Sequence, residues 1–176
     1  YQEASIPADS LDVVTAFHVF EHLESPLDAM RHVRPWLRTG GHLLIEVPNV
    51  EAVCQWPRSR FHRAHLYNFN PATLEMTGRK AGYKVVSTTV SDDGGNVSVI
   101  YQKADDVPPV TGEIPGNYER VRAIVRGHTA LKHAFSKYPY IRPFRKIAQR
   151  LDERRAISQE TSPKAILEGI VARSLK

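Results

Sequence analysis

His18, Glu21 and His22 stand together in the stretch Phe17-His18-Val19-Phe20-Glu21-His22. Imidazole titrates near neutrality, so a histidine beside a carboxylate can take up a proton from a reacting group. His22 is therefore one candidate general base. Its structural alternative is equally simple: Glu21 caps or orients the next turn and His22 packs there. A second group lies in WPRSRFHRAHLYNF, residues 56–69, where His62, His65, Tyr67 and Asn68 alternate with arginines. His65 is the second base candidate and Tyr67 a positioning group. The alternative is that both cap and pack the helix that follows. Arg58, Arg60 and Arg63 either hold an anionic group or are solvated. A zinc reading of Cys54, His62 and His65 lacks a CxxC pair or an HExxH helix, and no metal is expected. Cys54 reads as a small hydrophobe.

These residues need a scaffold. Leu11 to Phe17 is a nearly continuous apolar run, which predicts a buried parallel strand. Ser25-Pro26 supplies an N-cap and an N1 proline, with Leu27, Met30, Val33 and Leu37 at helical spacing and Pro35 cutting the helix short. His42 to Val47 predicts a second buried strand. Residues 50–69 show no clean period and read as a functional loop with a short helix near Glu51–Gln55. Asn70-Pro71 starts a helix to Ala81, with Gly82 as its C′ residue. Tyr83 to Val90 and Val97 to Lys103 form a hairpin across Asp92–Asn96. Alternating elements imply an α/β layered fold, in which ligands sit beyond the carboxyl ends of parallel strands. Those ends are Ala16–Glu21 and Glu46–Asn49, so both chemical clusters border them.

Residues 104–116, rich in proline and glycine, read as a linker. Beyond it, amphipathic helices are expected on Tyr118, Val121, Val125, Leu131 and Phe135, then on Ile141, Phe144, Ile147 and Leu151, then on Ile166, Leu167, Ile170 and Val171. The domain reading is 1–103, 104–116 and 117–176. Charge divides similarly. Residues 1–113 carry 10 Lys and Arg against 14 Asp and Glu, a balance of −4, whereas 114–176 carry 14 against 5, a balance of +9. Only the second part invites an anionic partner. YPYIRPFRKIAQRLDERR, residues 138–155, mixes aromatics with arginines as interfacial helices do, so a membrane surface or an anionic group is a candidate partner there. Asp152 and Glu153 interrupt it, which favours a solvated face over a packed helix, and nucleic acid is disfavoured.

A hydrophobic share of 41% is enough to bury a core. No apolar run reaches the roughly 18 residues needed to cross a bilayer. The start, Tyr1-Gln2-Glu3-Ala4, has neither an initiator Met nor a basic region followed by an apolar stretch, and reads as a chain cut within a domain. One cysteine excludes an internal disulfide and suits a reducing cytoplasm.

The segment LDVVTAFHVFEHLESPLDAMRHVRPWLRTGGHLLIEVPN, residues 11–49, resembles the fourth strand, following helix and fifth strand of class I S-adenosylmethionine-dependent methyltransferases. The match is to the branch with V-x-E-H after the fourth strand, here Val19-Phe20-Glu21-His22, and L-x-P-G-G-x-L-x-I-x-x-P-N into the fifth, here Leu37 to Asn49 with Thr39 in place of proline. HLYNFNPATLEMTGRKAGYKVV, residues 65–86, resembles the approach to the sixth strand. The resemblance covers residues 4–103. It implies part of a Rossmann-like methyltransferase sheet ending in an antiparallel hairpin, followed by an α-helical C-terminal extension. It also implies S-adenosylmethionine as cofactor and a small-molecule acceptor. Phe17, His18 and Val19 match positions lining the cofactor pocket. Gln2 and Glu3 fall where the third strand's exit approaches the adenine. The loop with His65, Tyr67 and Arg63 matches where acceptor pockets are built. The family's glycine-rich cofactor loop is expected upstream of Tyr1, and this part alone is expected to be inactive. An unpaired edge on the Leu11–Phe17 strand would invite oligomers. Two rivals remain: another Rossmann-like enzyme such as a nicotinamide dehydrogenase, disfavoured by the terminal hairpin and by Pro48-Asn49, and a non-catalytic scaffold whose basic tail binds an anionic partner.

Overall fold

A computed structural model describes residues 6–108, 110, 112–141, 144 and 151. Two compact units are present, Tyr1–His133 and Ala134–Lys176. Glu3 and Gln2 lie outside the described residues, as do most of the second expected tail helix and all of the third.

The first unit is an α/β structure. Strand β1 spans Leu11–Phe17, helix α1 Pro26–Val33, strand β2 Leu37–Pro48, helix α2 Pro71–Lys80, strand β3 Tyr83–Val90 and strand β4 Asn96–Lys103. The sheet order is β1-β2-β4-β3. β1 runs parallel to β2, and β4 is antiparallel to both its neighbours. The hairpin therefore folds its second strand inward, against β2.

Local chemistry accounts for the helix boundaries. The Ser25 hydroxyl accepts from the Asp28 N–H at 3.2 Å, and Pro26 opens α1. Pro35 ends it in a short 3-10 turn over Arg34–Trp36. Asn70 and Thr73 form a reciprocal capping box at α2. Gly82 follows the C-cap at φ 84°, where a side chain is strained.

The two helices cover one face of the sheet. Ala29, Met30 and Val33 of α1 and Leu74 of α2 join Leu43, Ile45, Val47, Val97, Val99, Tyr83 and Tyr101 in one buried cluster. Each such side chain contributes about 1.5–3 kcal/mol when fully buried. Tyr83 donates to the Met30 carbonyl at 3.1 Å and Tyr101 to the Leu74 carbonyl at 2.6 Å, so both phenols are satisfied inside the core. A Cβ on Gly78 would stand 2.1 Å from the Tyr101 ring, which fixes how closely α2 lies on β4.

Burial of the strands departs from the expectation of two-sided cover. Along β2, fully buried residues alternate with partly exposed ones from Gly41 onward. On β1, Val13 is 55% and Phe17 53% exposed. Helices α1 and α2 share one core with the sheet, and among the described residues β1 pairs along one edge only. An apolar run records what a strand tolerates, not which faces are covered.

Two more expectations are corrected. Residues 51–55 form no helix; a 3-10 turn occurs at Pro57–Ser59 instead. The first tail helix is two helices, α3 at Asn117–Gly127 and α4 at Ala130–Ala134. Of its apolar stripe, Val121 and Val125 are only partly covered. Tyr118, Leu131 and Phe135 are exposed, while His128 and His133 are buried.

Candidate functional site

The parallel pair delivers its carboxyl ends side by side. Phe17 lies opposite Glu46, and the next N–H, that of His18, donates to the Glu46 carbonyl at 2.9 Å. His18 then turns the chain with φ 54°, a left-handed conformation uncommon without glycine. The turn leads into a 3-10 helix over Phe20–His22 that swings Glu21 inward and His22 toward the loop.

Glu21 is the centre of the arrangement. Its side chain is 2% exposed. Neither carboxylate oxygen has a hydrogen-bond partner. Three imidazoles lie around it. His18 Nδ1 is 3.5 Å and His22 Nε2 3.7 Å from Glu21 Oε1. The His65 ring stands edge-on to that of His22, with centroids 4.9 Å apart. His18 Nε2 also lies 3.7 Å from Glu46 Oε1. Glu46 itself is held by the Asn96 amide and by the Ser98 hydroxyl at 2.6 Å.

The loop is tied to this turn by its backbone. Leu66 and Tyr67 N–H groups donate to the Glu21 carbonyl at 2.8 and 3.1 Å. The Tyr67 hydroxyl donates to the Glu24 carbonyl at 3.0 Å. Its ring lies nearly parallel to that of Phe69 at 6.1 Å. His22 Nδ1 lies 2.8 Å from the Ala64 carbonyl oxygen. A carbonyl only accepts, so Nδ1 carries a hydrogen and Nε2 is the nitrogen turned toward Glu21. Burial sets the His65 imidazole below its ordinary value. The Glu21 charge opposes that shift, and His22, His62 and His18 reinforce it.

The structure thus gathers His18, Glu21, His22 and His65 at one place, with Phe17 and Val19 exposed beside them. Arg63 is exposed and makes no ion pair among the described residues. Arg60 is turned elsewhere. It donates to the Val50 carbonyl and, at 2.6 Å, to His128 Nδ1, so it anchors α3 and leaves the loop's open side. His128 Nε2 meets His133 Nδ1 at 3.1 Å. Burial, the Arg60 charge and His133 hold His128 below its ordinary imidazole value. The sequence offered no periodic signal for this network, because its members come from a loop and from two helices with no buried apolar stripe. A cleft of about 350 Å³ elsewhere is lined by Arg79, Tyr83, Val85 and Pro108 among others, none of them a candidate residue.

A family model described as a methyltransferase domain matches residues 1–88, half of the chain. No curated protein sequence matches. Among solved structures, a Thermotoga maritima protein described as an S-adenosylmethionine-dependent methyltransferase is 18% identical, covering 58% of this chain and 60% of that one, with a TM-score of 0.47. A methyltransferase of the same dependence from Archaeoglobus fulgidus is 19% identical, covering 56% and 62%, with a TM-score of 0.45. A chain from a Haloferax volcanii complex of a methyltransferase activator and a methyltransferase is 14% identical, covering 58% of each, with a TM-score of 0.48. This chain therefore spans about three-fifths of the length of those structures. By its matched residues, the chain belongs to the methyltransferase domain family.

Proposed function

We propose that this chain contributes to methyl transfer from S-adenosylmethionine to an oxygen of a small-molecule or sugar-like acceptor, as an activity of the intact protein and not of this part alone. The observation that carries the reading is the convergence of Glu21, His22 and His65 at the carboxyl ends of β1 and β2. Phe17, His18 and Val19 fit one wall of a cofactor pocket. They offer an exposed aromatic face, a half-exposed polar ring and an apolar side chain at a strand exit. The bound cofactor supplies an electrophilic methyl on a sulfonium, already a good leaving group.

The protein then has to align the nucleophile and exclude water. A hydroxyl acceptor must lose its proton as its oxygen forms the new bond to carbon and the carbon–sulfur bond breaks. His22 Nε2, oriented by the Ala64 contact at Nδ1, is the first candidate to take that proton. Glu21 stabilises the imidazolium that results. His65 is the second candidate. Tyr67 and Arg63 border the acceptor side, and a reducing cytoplasm suits the lone cysteine. Calorimetric titration of the full-length gene product with S-adenosylmethionine tests the reading. Saturable binding supports it, and no heat of binding at millimolar cofactor sinks it.

A further inference from the structure

We propose that Glu21, His22 and His65 form a binding site for a divalent transition-metal cation. Each offers one ligand atom, and the three atoms lie within 4.8 Å of one another. Bonds of about 2.0–2.2 Å place ligand atoms some 3–3.5 Å apart, so closure requires only a modest movement of side chains. His65 sits on a loop and is half-exposed, which leaves it free to make that movement.

Two features of the site point to a cation. Glu21 is a buried carboxylate without a hydrogen bond to either oxygen. Buried charges are ordinarily paired or coordinate metals, because desolvation is otherwise costly. His22 has the orientation of a metal ligand. Its Nδ1–H is held by a backbone carbonyl, which fixes the tautomer and aims Nε2 at the Glu21 oxygen 3.7 Å away. That outer hydrogen bond is the usual support of a ligating histidine. Nε2 and the carboxylate oxygen are turned toward one another, an arrangement that a cation shared between them would satisfy. Two imidazoles and one carboxylate suit zinc, iron or manganese better than calcium or magnesium. The half-exposed His18 ring borders the same Glu21 oxygen, so a bound ion would keep a position open to solvent. If methyl transfer to a hydroxyl is the reaction, and this consequence rests on that reading, the cation would acidify the acceptor in place of an imidazole base.

The test uses the tag-free chain, stripped with a chelator and titrated with Zn²⁺ against a chromophoric competitor. The expected result is one equivalent per chain. Glu21→Gln and His65→Ala should each weaken binding by at least about 10-fold. His62→Ala and His128→Ala should change it less than about threefold, as non-ligands. Circular dichroism establishes that each variant is folded, and Glu21→Gln, the near-isosteric change, decides if His65→Ala is not. Absence of stoichiometric uptake overturns the site. So does unchanged affinity in Glu21→Gln, or a loss in His62→Ala equal to that in His65→Ala. A thiolate charge-transfer band with Co²⁺ would bring Cys54 into the ligand set and overturn it as well. The titration involves no cofactor, so its failure leaves the methyl-transfer reading untouched, and the reverse holds.

Discussion

His22 Nδ1 and the Ala64 carbonyl oxygen meet at 2.8 Å, although 41 residues separate them in the chain. This contact joins the turn after β1 to the loop before α2, and it decides which nitrogen of His22 remains reactive. Long-range ¹H–¹⁵N spectra at pH 8 should show His22 as the Nδ1–H tautomer. An Nε2–H tautomer would remove both the base and the ligand role argued for it.

Gly78→Ala should destabilise the protein by about 1–3 kcal/mol, the range for overpacking a core. The added methyl meets the Tyr101 ring, whose hydroxyl is pinned to the Leu74 carbonyl and cannot easily withdraw. Tyr101→Phe should cost about 0.5–1.5 kcal/mol, the net value of the hydrogen bond it removes. Urea denaturation reads both.

Asn70 is fully buried and joins three segments. Its amide donates to Glu51 at 2.8 Å and to Asn117 at 2.7 Å, while its carbonyl oxygen caps α2. Asn70→Ala should cost about 1–3 kcal/mol, more than an exposed cap. Hydrogen exchange should quicken at the start of both α2 and α3. Exchange that quickens in α2 alone would reduce Asn70 to a simple cap.

Acid should weaken the fold. His65 and His128 bind protons less tightly when folded than when unfolded. Between the folded and unfolded values the unfolded chain carries more protons, so stability rises with pH there. The contribution is complete above about pH 6.5 and declines as pH falls below it. His128→Gln should flatten that slope in part, leaving the share due to His65. Denaturation free energies at pH 7.5, 6 and 5 measure this.

Among the described residues β1 has one unpaired edge, which should make the chain associate at high concentration. Val13→Lys places a charge on that strand and should shift sedimentation toward monomer. A monomeric parent chain at the same concentration would show that the edge is covered.

Most of the element sequence was legible beforehand because each boundary has a local chemical cause. Ser25-Pro26, Asn70-Pro71 and Gly82 mark helix ends by capping and backbone freedom, and those ends are where the structure has them. What local chemistry does not encode is partnership. The run Leu11–Phe17 announced a strand but not its exposure, since apolar residues suit a covered or an uncovered face alike. The clustering of Glu21 with His65 depends on how residues 50–69 fold back. That path is set by backbone bonds from Leu66 and Tyr67 to Glu21, which any side chains could make. His128 and His133 took the buried positions that an apolar pattern would have assigned to Leu131 and Phe135. Arg60 bonds to His128, and His128 and the Val53 carbonyl lie within hydrogen-bond distance of His133; a hydropathy pattern is blind to such pairing.

The left-handed backbone at His18 places the site in tension with durability. An imidazole there holds a conformation that costs about 1–3 kcal/mol relative to a relaxed residue. Glycine would adopt it without penalty. A variant library ranked by melting temperature should therefore favour His18→Gly, and in doing so discard the ring that bridges Glu21 and Glu46. Thermal hardening of this protein and preservation of its histidine–glutamate cluster pull in opposite directions at that residue.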